Sequence, residues 1–198
     1  MFMQDASRLA RNAAPVAPRA TLAPRLTGII AGTMVETAAG WRPIETLCRG
    51  DMVHTLDGGL RPVVSIGRDR ISPAEVRALV HLPGGLFGAA ADMQLLPGQP
   101  LLIDTWDMPE LSPSPRALVP ARALKAIGAN IRPLIRPVEV ISPVFAEEEV
   151  IWANSGLLLH CPGTGQPLAT GPDQGFFPLL DGVKALATLI RSSRGLAA

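Results

Sequence analysis

Closely spaced turn signals leave this chain little room for long elements. Asp57-Gly58-Gly59, Pro83-Gly84-Gly85, Pro97-Gly98 and Pro162-Gly163 each break the backbone. Glycine supplies positive φ at such points, and proline removes an N–H. The apolar stretches between them are short, and several alternate apolar with polar residues at a period of two, as half-buried strands do. Strands are therefore expected over 34–37 and 51–55, flanking a turn at Ala39-Gly40. A third, β-rich strand is expected over 60–68, around Val63-Val64-Ser65-Ile66, with Asp57-Gly58-Gly59 as the hairpin connection. Pro43, lacking an N–H, places the 42–47 connection outside any ladder.

The rest of the chain reads the same way. Ser72-Pro73-Ala74-Glu75 matches a capped helix start and predicts one helical turn before an extended 77–82. Residues 92–104 predict a strand, the Pro97-Gly98 turn and a second strand, and the proline-rich 105–115 a surface loop. A short helix is expected over 119–128, with Pro120 in its first turn, Leu124 and Ile127 on one side and Gly128 as its left-handed stop. Strands follow at 138–145, 149–152 and 157–160. In the tail, Asp181 is a credible N-cap, and Val183, Leu186, Ala187 and Ile190 share one helical face. That helix is expected to dock on its own body, because isolated helices this short are marginal. The expected organisation is an Ala/Pro/Arg-rich flexible arm over 1–25, a β domain over 26–163, and a loop with a C-terminal helix over 164–198.

Charge and composition exclude several classes of function. Eighteen basic residues face 17 acidic ones, for a net charge of +1, so no surplus drives phosphate binding and no nucleic-acid partner is expected. The longest apolar runs fall short of the ~20 residues a membrane-spanning helix needs, so no span is expected. Two cysteines, Cys48 and Cys161, do not make a disulfide framework. The three histidines lie far apart, without metal-ligand spacing, and no phosphate-cradling loop occurs, so neither metal nor cofactor is expected. The basic residues are almost all arginine, a pattern associated with GC-rich bacterial genomes; the expectation is a bacterial protein, cytoplasmic or exported.

Four stretches, in order, resemble the Hint (hedgehog/intein) family and its bacterial Hint-like subfamily. They are residues 28–53, with Gly32-Thr33, Pro43-Ile44-Glu45 and Gly50-Asp51; the turn Leu96-Pro97-Gly98-Gln99; Leu118-Val119-Pro120-Ala121-Arg122; and the strand pair around Ala153-Asn154-Ser155-Gly156, in which Ser155 stands as one extra residue. The resemblance implies a mostly β, compact Hint-type fold with short helices, built from two halves related by a pseudo-repeat.

It also implies a chemistry. Self-processing in this family begins when a Cys or Ser side chain attacks its own preceding peptide carbonyl, while a histidine donates a proton to the leaving nitrogen. The family's nucleophile position, four residues before Gly32, is Gly28, and its internal-turn histidine position is Gln99. Glycine has no nucleophile, and a carboxamide does not shuttle protons near neutral pH. At the closing strand, Cys161 takes the place of the cyclising Asn of inteins, after His160 and before Pro162. The resemblance thus implies a degenerate member that has lost autoprocessing, is not an enzyme, and serves as a structural or interaction module. Its partner would be another protein or its own N-terminal segment. Two alternatives stand beside that reading. One is an active domain with a shifted nucleophile among Thr27, Cys48 and Cys161, with His160 as a possible base. The other is a small-molecule or peptide site in the old cleft near Gly28 and Gln99. Cys48 and Cys161 read as packing cysteines, adjacent His160 and Cys161 should face opposite ways on a strand, and Glu147, Glu148 and Glu149 read as exposed charge.

Overall fold

The computed structural model describes residues 27–110, 112, 114–165, 175–180 and 182–195. The expected arm over 1–25 and the expected N-cap Asp181 lie outside these residues. Fourteen short strands are described: β1 (Ile29–Ile30), β2 (Met34–Thr37), β3 (Gly40–Pro43), β4 (Met52–Thr55), β5 (Gly59–Pro62), β6 (Ser65–Ile71) and β7 (Ala78–Leu82), then β8 (Met93–Leu95), β9 (Pro100–Asp104), β10 (Arg116–Pro120), β11 (Asn130–Pro133), β12 (Val138–Val144), β13 (Glu149–Ala153) and β14 (Leu157–Cys161). One α-helix, α1 (Gly182–Gly195), follows, and 3-10 segments occupy Ile44–Thr46, Leu86–Gly88 and Ala121–Ile127. The mostly β class with a C-terminal helix is as the turn spacing implied.

Two turns of the same construction begin the two halves. After β1, Thr33 N–H donates to the Ile30 carbonyl at 3.2 Å; after β8, Gln99 N–H donates to the Leu96 carbonyl at 3.0 Å. Each turn leads into a hairpin, β2–β3 or β9–β10, whose second strand ends in proline and runs into a 3-10 segment. The first residue of that segment then donates back to the turn, Ile44 to the Thr33 carbonyl at 2.8 Å and Ala121 to the Gln99 carbonyl at 2.9 Å. These matched bonds are the pseudo-repeat in physical form.

The β13–β14 hairpin joins the halves. β13 pairs with β2 at Ala153↔Val35 and with β4 at Ile151↔Thr55, while β14 pairs with β9 at Leu159↔Leu101. The result is an eight-stranded sheet ordered β10-β9-β14-β13-β2-β4-β5, with β3 beside β2. Two three-stranded sheets, β1-β12-β6 and β11-β7-β8, complete the body. The main core runs through this arrangement, with Val35, Val53, Leu101, Val119, Ile151 and Leu159 all at most 3% exposed.

Several expectations needed correction. Residues 40–43 are a strand, and Pro43 lies opposite Met34 in its ladder. An edge strand tolerates this: Ile44 N–H turns toward β2, so by alternation the nitrogen of Pro43 turns away from it. Residues 119–120 end β10 instead of starting a helix, and the helix expected there is the 3-10 segment Ala121–Ile127, stopped by Gly128 at φ +113°. Strands β10 and β11 were not foreseen at all. Ser72–Val76 does form one turn, with Val76 N–H donating to the Ser72 carbonyl and the Glu75 carboxylate accepting from both Ser72 N–H and its hydroxyl.

Helix α1 docks on the body, against the 3-10 segment Ala121–Ile127 and β10. Its buried face differs from the expected one: Ala185, Thr188 and Leu189 are fully buried, and Leu186 is 43% exposed. Hydropathy counts threonine as polar, but the Thr188 hydroxyl donates to the Lys184 carbonyl at 2.8 Å and so buries without a lost partner. Among the described residues no helix is long and apolar enough to cross a membrane.

The turn of the β13–β14 hairpin depends on one glycine. Asn154 and Ser155 have φ of +44° and +68°, the left-handed pair of a tight hairpin turn, closed by Gly156 N–H on the Ala153 carbonyl at 3.2 Å. Ser155, the extra residue, is absorbed there. Gly156 then passes Gly88 backbone to backbone, and a Cβ on Gly156 would overlap the Gly88 carbonyl. Neither side can move as a side chain would, so Gly156→Ala should cost about 1–3 kcal/mol or more through overpacking. A lower urea midpoint at unchanged m-value is the expected result.

Candidate functional site

Gly28 precedes β1, whose register on β12 sets Ile29 opposite Ile141. It is buried, with φ +123°, a region side-chain-bearing residues rarely adopt. A Cβ on Gly28 would overlap Val140 Cγ1 and lie 3.1 Å from Ser142 Oγ. The space a side chain would need at this position is already filled by β12.

Gln99, 2% exposed, stands at the end of the second turn and reaches across to the first half. Its Oε1 accepts the Gly28 N–H at 2.8 Å. Its Nε2 donates to the His160 carbonyl at 3.0 Å and to the Pro100 carbonyl at 3.2 Å. The amide can sit only this way round, because the reverse would set its N–H₂ against a donor and its oxygen against two acceptors. One side chain thus ties the start of β1, the turn at 97–98 and β14 together. The positions 28, 99 and 160 converge.

The cleft between them is nearly closed. It is a cavity of about 10 Å³ lined by Thr27, Gly28, Gln99, Ser142, His160 and Cys161, among others. That volume holds about one water; a ligand pocket is usually some 300–1,000 Å³.

Of the other candidate residues, Thr27 and Cys161 line this cleft and Cys48 does not. Thr27 is half-buried and lines the cleft. The Thr33 hydroxyl is committed to the Ile30 carbonyl at 2.7 Å. Cys48 is exposed in the turn before β4, where its N–H donates to Asp51 at 2.9 Å, and it is absent from the cleft lining. Cys161 is 1% exposed and packs in the main core. Burial, with the nearby Glu149 charge, pushes its thiol far above the ordinary range, so it stays protonated and inert.

His160 and Cys161 do face opposite ways, and the partner of the histidine was not foreseen. The His160 imidazole, 8% exposed, brings Nε2 within 3.0 Å of Glu148 Oε1, on a carboxylate that is itself 5% exposed. The contact is close but lacks hydrogen-bond alignment, and Oε1 has no aligned donor. The other oxygen, Oε2, accepts the Phe176 N–H at 2.7 Å. Burial pushes the Glu148 carboxyl up, but the imidazole and the backbone N–H groups of Phe176 and Phe177 together outweigh it, and the net shift is downward. The expectation of an exposed Glu148 is therefore corrected. The same holds for Glu149, whose side chain is 11% exposed and pairs with Arg61 at 3.3 Å; three successive glutamates read as solvated charge, and no local signal marks the two that turn inward. Asp51 pairs with Arg42, Asp57 with Arg116, and His54 lies opposite Leu60 on the β4–β5 ladder. Asn154 holds the hairpin to β2 by accepting the Met34 N–H at 2.9 Å. His81, 6% exposed, lies 3.3 Å from Asp92. Among the described residues no three His, Cys, Asp or Glu side chains gather as a metal site.

A mostly β body of two pseudo-repeated halves joined by a hairpin, with positions 28, 99 and 160 brought together, defines the Hint class of fold. The Hint domain family model matches residues 27–158, and the chain belongs to that family. Among solved structures, it is similar to the bacterial intein-like domain from Clostridium thermocellum (16% identity, 68% of this chain and 98% of that one, TM-score 0.44). It is also similar to a splice-inactive variant of the AceL NrdHF class 3 split intein (13% identity, 68% and 97%, TM-score 0.49). A third likeness is to the MchDnaB-1 intein (13% identity, 67% and 98%, TM-score 0.42). No curated protein matches the sequence.

Gln99→Ala leaves the Gly28 N–H and the His160 carbonyl buried without these partners, and each such group costs about 1–3 kcal/mol. The expected outcome is a loss of stability in that range on denaturant titration; a change under 0.5 kcal/mol would contradict the bridge. Because the Glu148 carboxyl is lowered when folded, its contribution is present above the ordinary value of 4.5 and is lost as pH falls through the folded value. Thermal melts of the wild type should therefore fall more steeply below pH 4.5 than those of Glu148→Gln, which starts from lower stability at neutral pH.

Proposed function

We propose that this Hint domain no longer processes itself and serves as a structural or interaction module, its partner being another protein or its own N-terminal segment. The observation that carries this reading is the environment of Gly28. A processing nucleophile needs an activated oxygen or sulfur at that position. A Cβ there would overlap Val140 Cγ1, and the Gly28 N–H is held by Gln99. The internal-turn position carries a carboxamide with its acceptor and both donors engaged. Loss at both positions is compatible with an intact fold, because packing and chemistry rest on different residues.

The shifted-nucleophile reading receives less support. Cys161 is buried with a raised thiol, Cys48 stands outside the cleft lining, and Thr27 has beside it only a cavity of single-water size. A ligand site in the old cleft meets the same limit of space. The test is to express the chain behind a folded N-terminal fusion and follow the intact mass over days, with and without dithiothreitol and after thiol alkylation. One intact species is expected throughout. Scission near Thr27-Gly28 would overturn the proposal, and its disappearance after alkylation would assign the activity to a cysteine.

A further inference from the structure

The outer strand of the large sheet at its β10 end is apolar: Ala117, Leu118 and Val119 are all at most 4% exposed. Residues 175–180 cover it in the manner of a bound peptide. Leu118 N–H donates to the Pro178 carbonyl at 2.8 Å, Leu180 N–H donates to the Leu118 carbonyl at 2.9 Å, and Leu118 and Leu179 form a parallel bridge. Phe177, 8% exposed, fills a pocket made by Leu102, Leu118 and Val150. The buried Glu148 carboxylate accepts the backbone N–H of Phe176 at 2.7 Å. Strand-register bonds, one aromatic anchor and a carboxylate on a backbone N–H are the elements by which sheet edges recognise extended peptides.

The segment fills its groove incompletely. Phe176 is 79% exposed, and beside the two phenylalanine rings lies an open cavity of about 180 Å³ lined by Leu56, Asp57, Arg61 and Glu147, among others. The contacts just described involve main chain and one anchor side chain, and they read the sequence Phe-Phe-Pro-Leu-Leu without reference to which molecule carries it.

We propose that the β10 edge, the Phe177 pocket and Glu148 form a peptide-binding groove, with residues 175–180 as its resident occupant, exchangeable for the same segment of a second copy of this chain. Nothing in the domain's self-processing chemistry assigns this groove, and it stands apart from the cleft at Gly28.

The test uses the full chain and a fluorescently labelled peptide with the sequence of residues 175–180. Phe177→Ala in the chain weakens the resident while leaving the groove intact. The labelled peptide should therefore bind this variant at least tenfold tighter than it binds the wild type, by fluorescence anisotropy. A peptide with alanine at the Phe177 position should bind neither. Glu148→Gln added to Phe177→Ala should weaken binding about fivefold. Equal binding to wild type and variant, or binding that ignores the phenylalanine, overturns the proposal. Native-state hydrogen exchange on the wild type decides it independently should the variant fail to fold. The Phe176 and Leu180 amides should exchange through an opening that leaves those of Ile151 and Leu159 protected. Exchange of all four only together means that the groove never opens short of global unfolding, and the proposal falls.

Discussion

A buried carboxamide holds three distant parts of this chain in register. Gln99 accepts from Gly28 and donates to the carbonyls of His160 and Pro100, across sequence separations of 71 and 61 residues for the first two. A polar group of this size is tolerated in the interior only when its hydrogen-bonding capacity is used, because each buried unpaired group costs about 1–3 kcal/mol. Glycine at position 28 is the counterpart of that arrangement. It brings its N–H close to the amide in a backbone conformation suited to glycine, while β12 occupies the volume a Cβ would claim. The same contacts that secure the junction of the two halves leave the cleft with room for about one water.

The sheet edges follow a second constraint, that unpaired backbone groups must not invite other chains. Strands β3, β5 and β11 each have a single ladder partner among the described residues, and they read Gly-Trp-Arg-Pro, Gly-Leu-Arg-Pro and Asn-Ile-Arg-Pro. Each ends in an arginine and a proline, a charge and a missing donor, the usual means of blunting an edge. β10 also ends in proline, but its middle is Ala-Leu-Val without a charge, and there the chain lays its own 178–180 alongside. A blunted edge can stay open, whereas an apolar one needs a cover.

His160 connects these two arrangements. Its carbonyl belongs to the Gln99 junction, and its imidazole faces the Glu148 carboxylate that grips the covering segment. Strand alternation makes this possible, since it sends the neighbouring Cys161 side chain into the main core and leaves the imidazole on the other face. The family's closing histidine thus has a packing role here that the backbone imposes.

The amino-acid sequence by itself determined the order of short strands and the turns at glycine and proline, because these rest on local φ preferences and on period-two alternation, and it carried the family through four motif stretches that resemble it. Strands such as β2, β4, β13 and β14 were legible for that reason. Tertiary structure decided what local pattern does not encode. It made strands of β3 and β11, since edge pairing overrides the loop preference of their Arg-Pro sequences, and of β10, where pairing with β9 extends to Pro120 and overrides the helix start read there. It turned the Thr188 face of α1 inward through a backbone bond that hydropathy ignores. It also chose which of three successive glutamates to bury and which side chains fill the cleft. Those outcomes depend on neighbours far away in sequence, Val140 against Gly28 and His160 against Glu148. Only the folded chain sets such residues side by side.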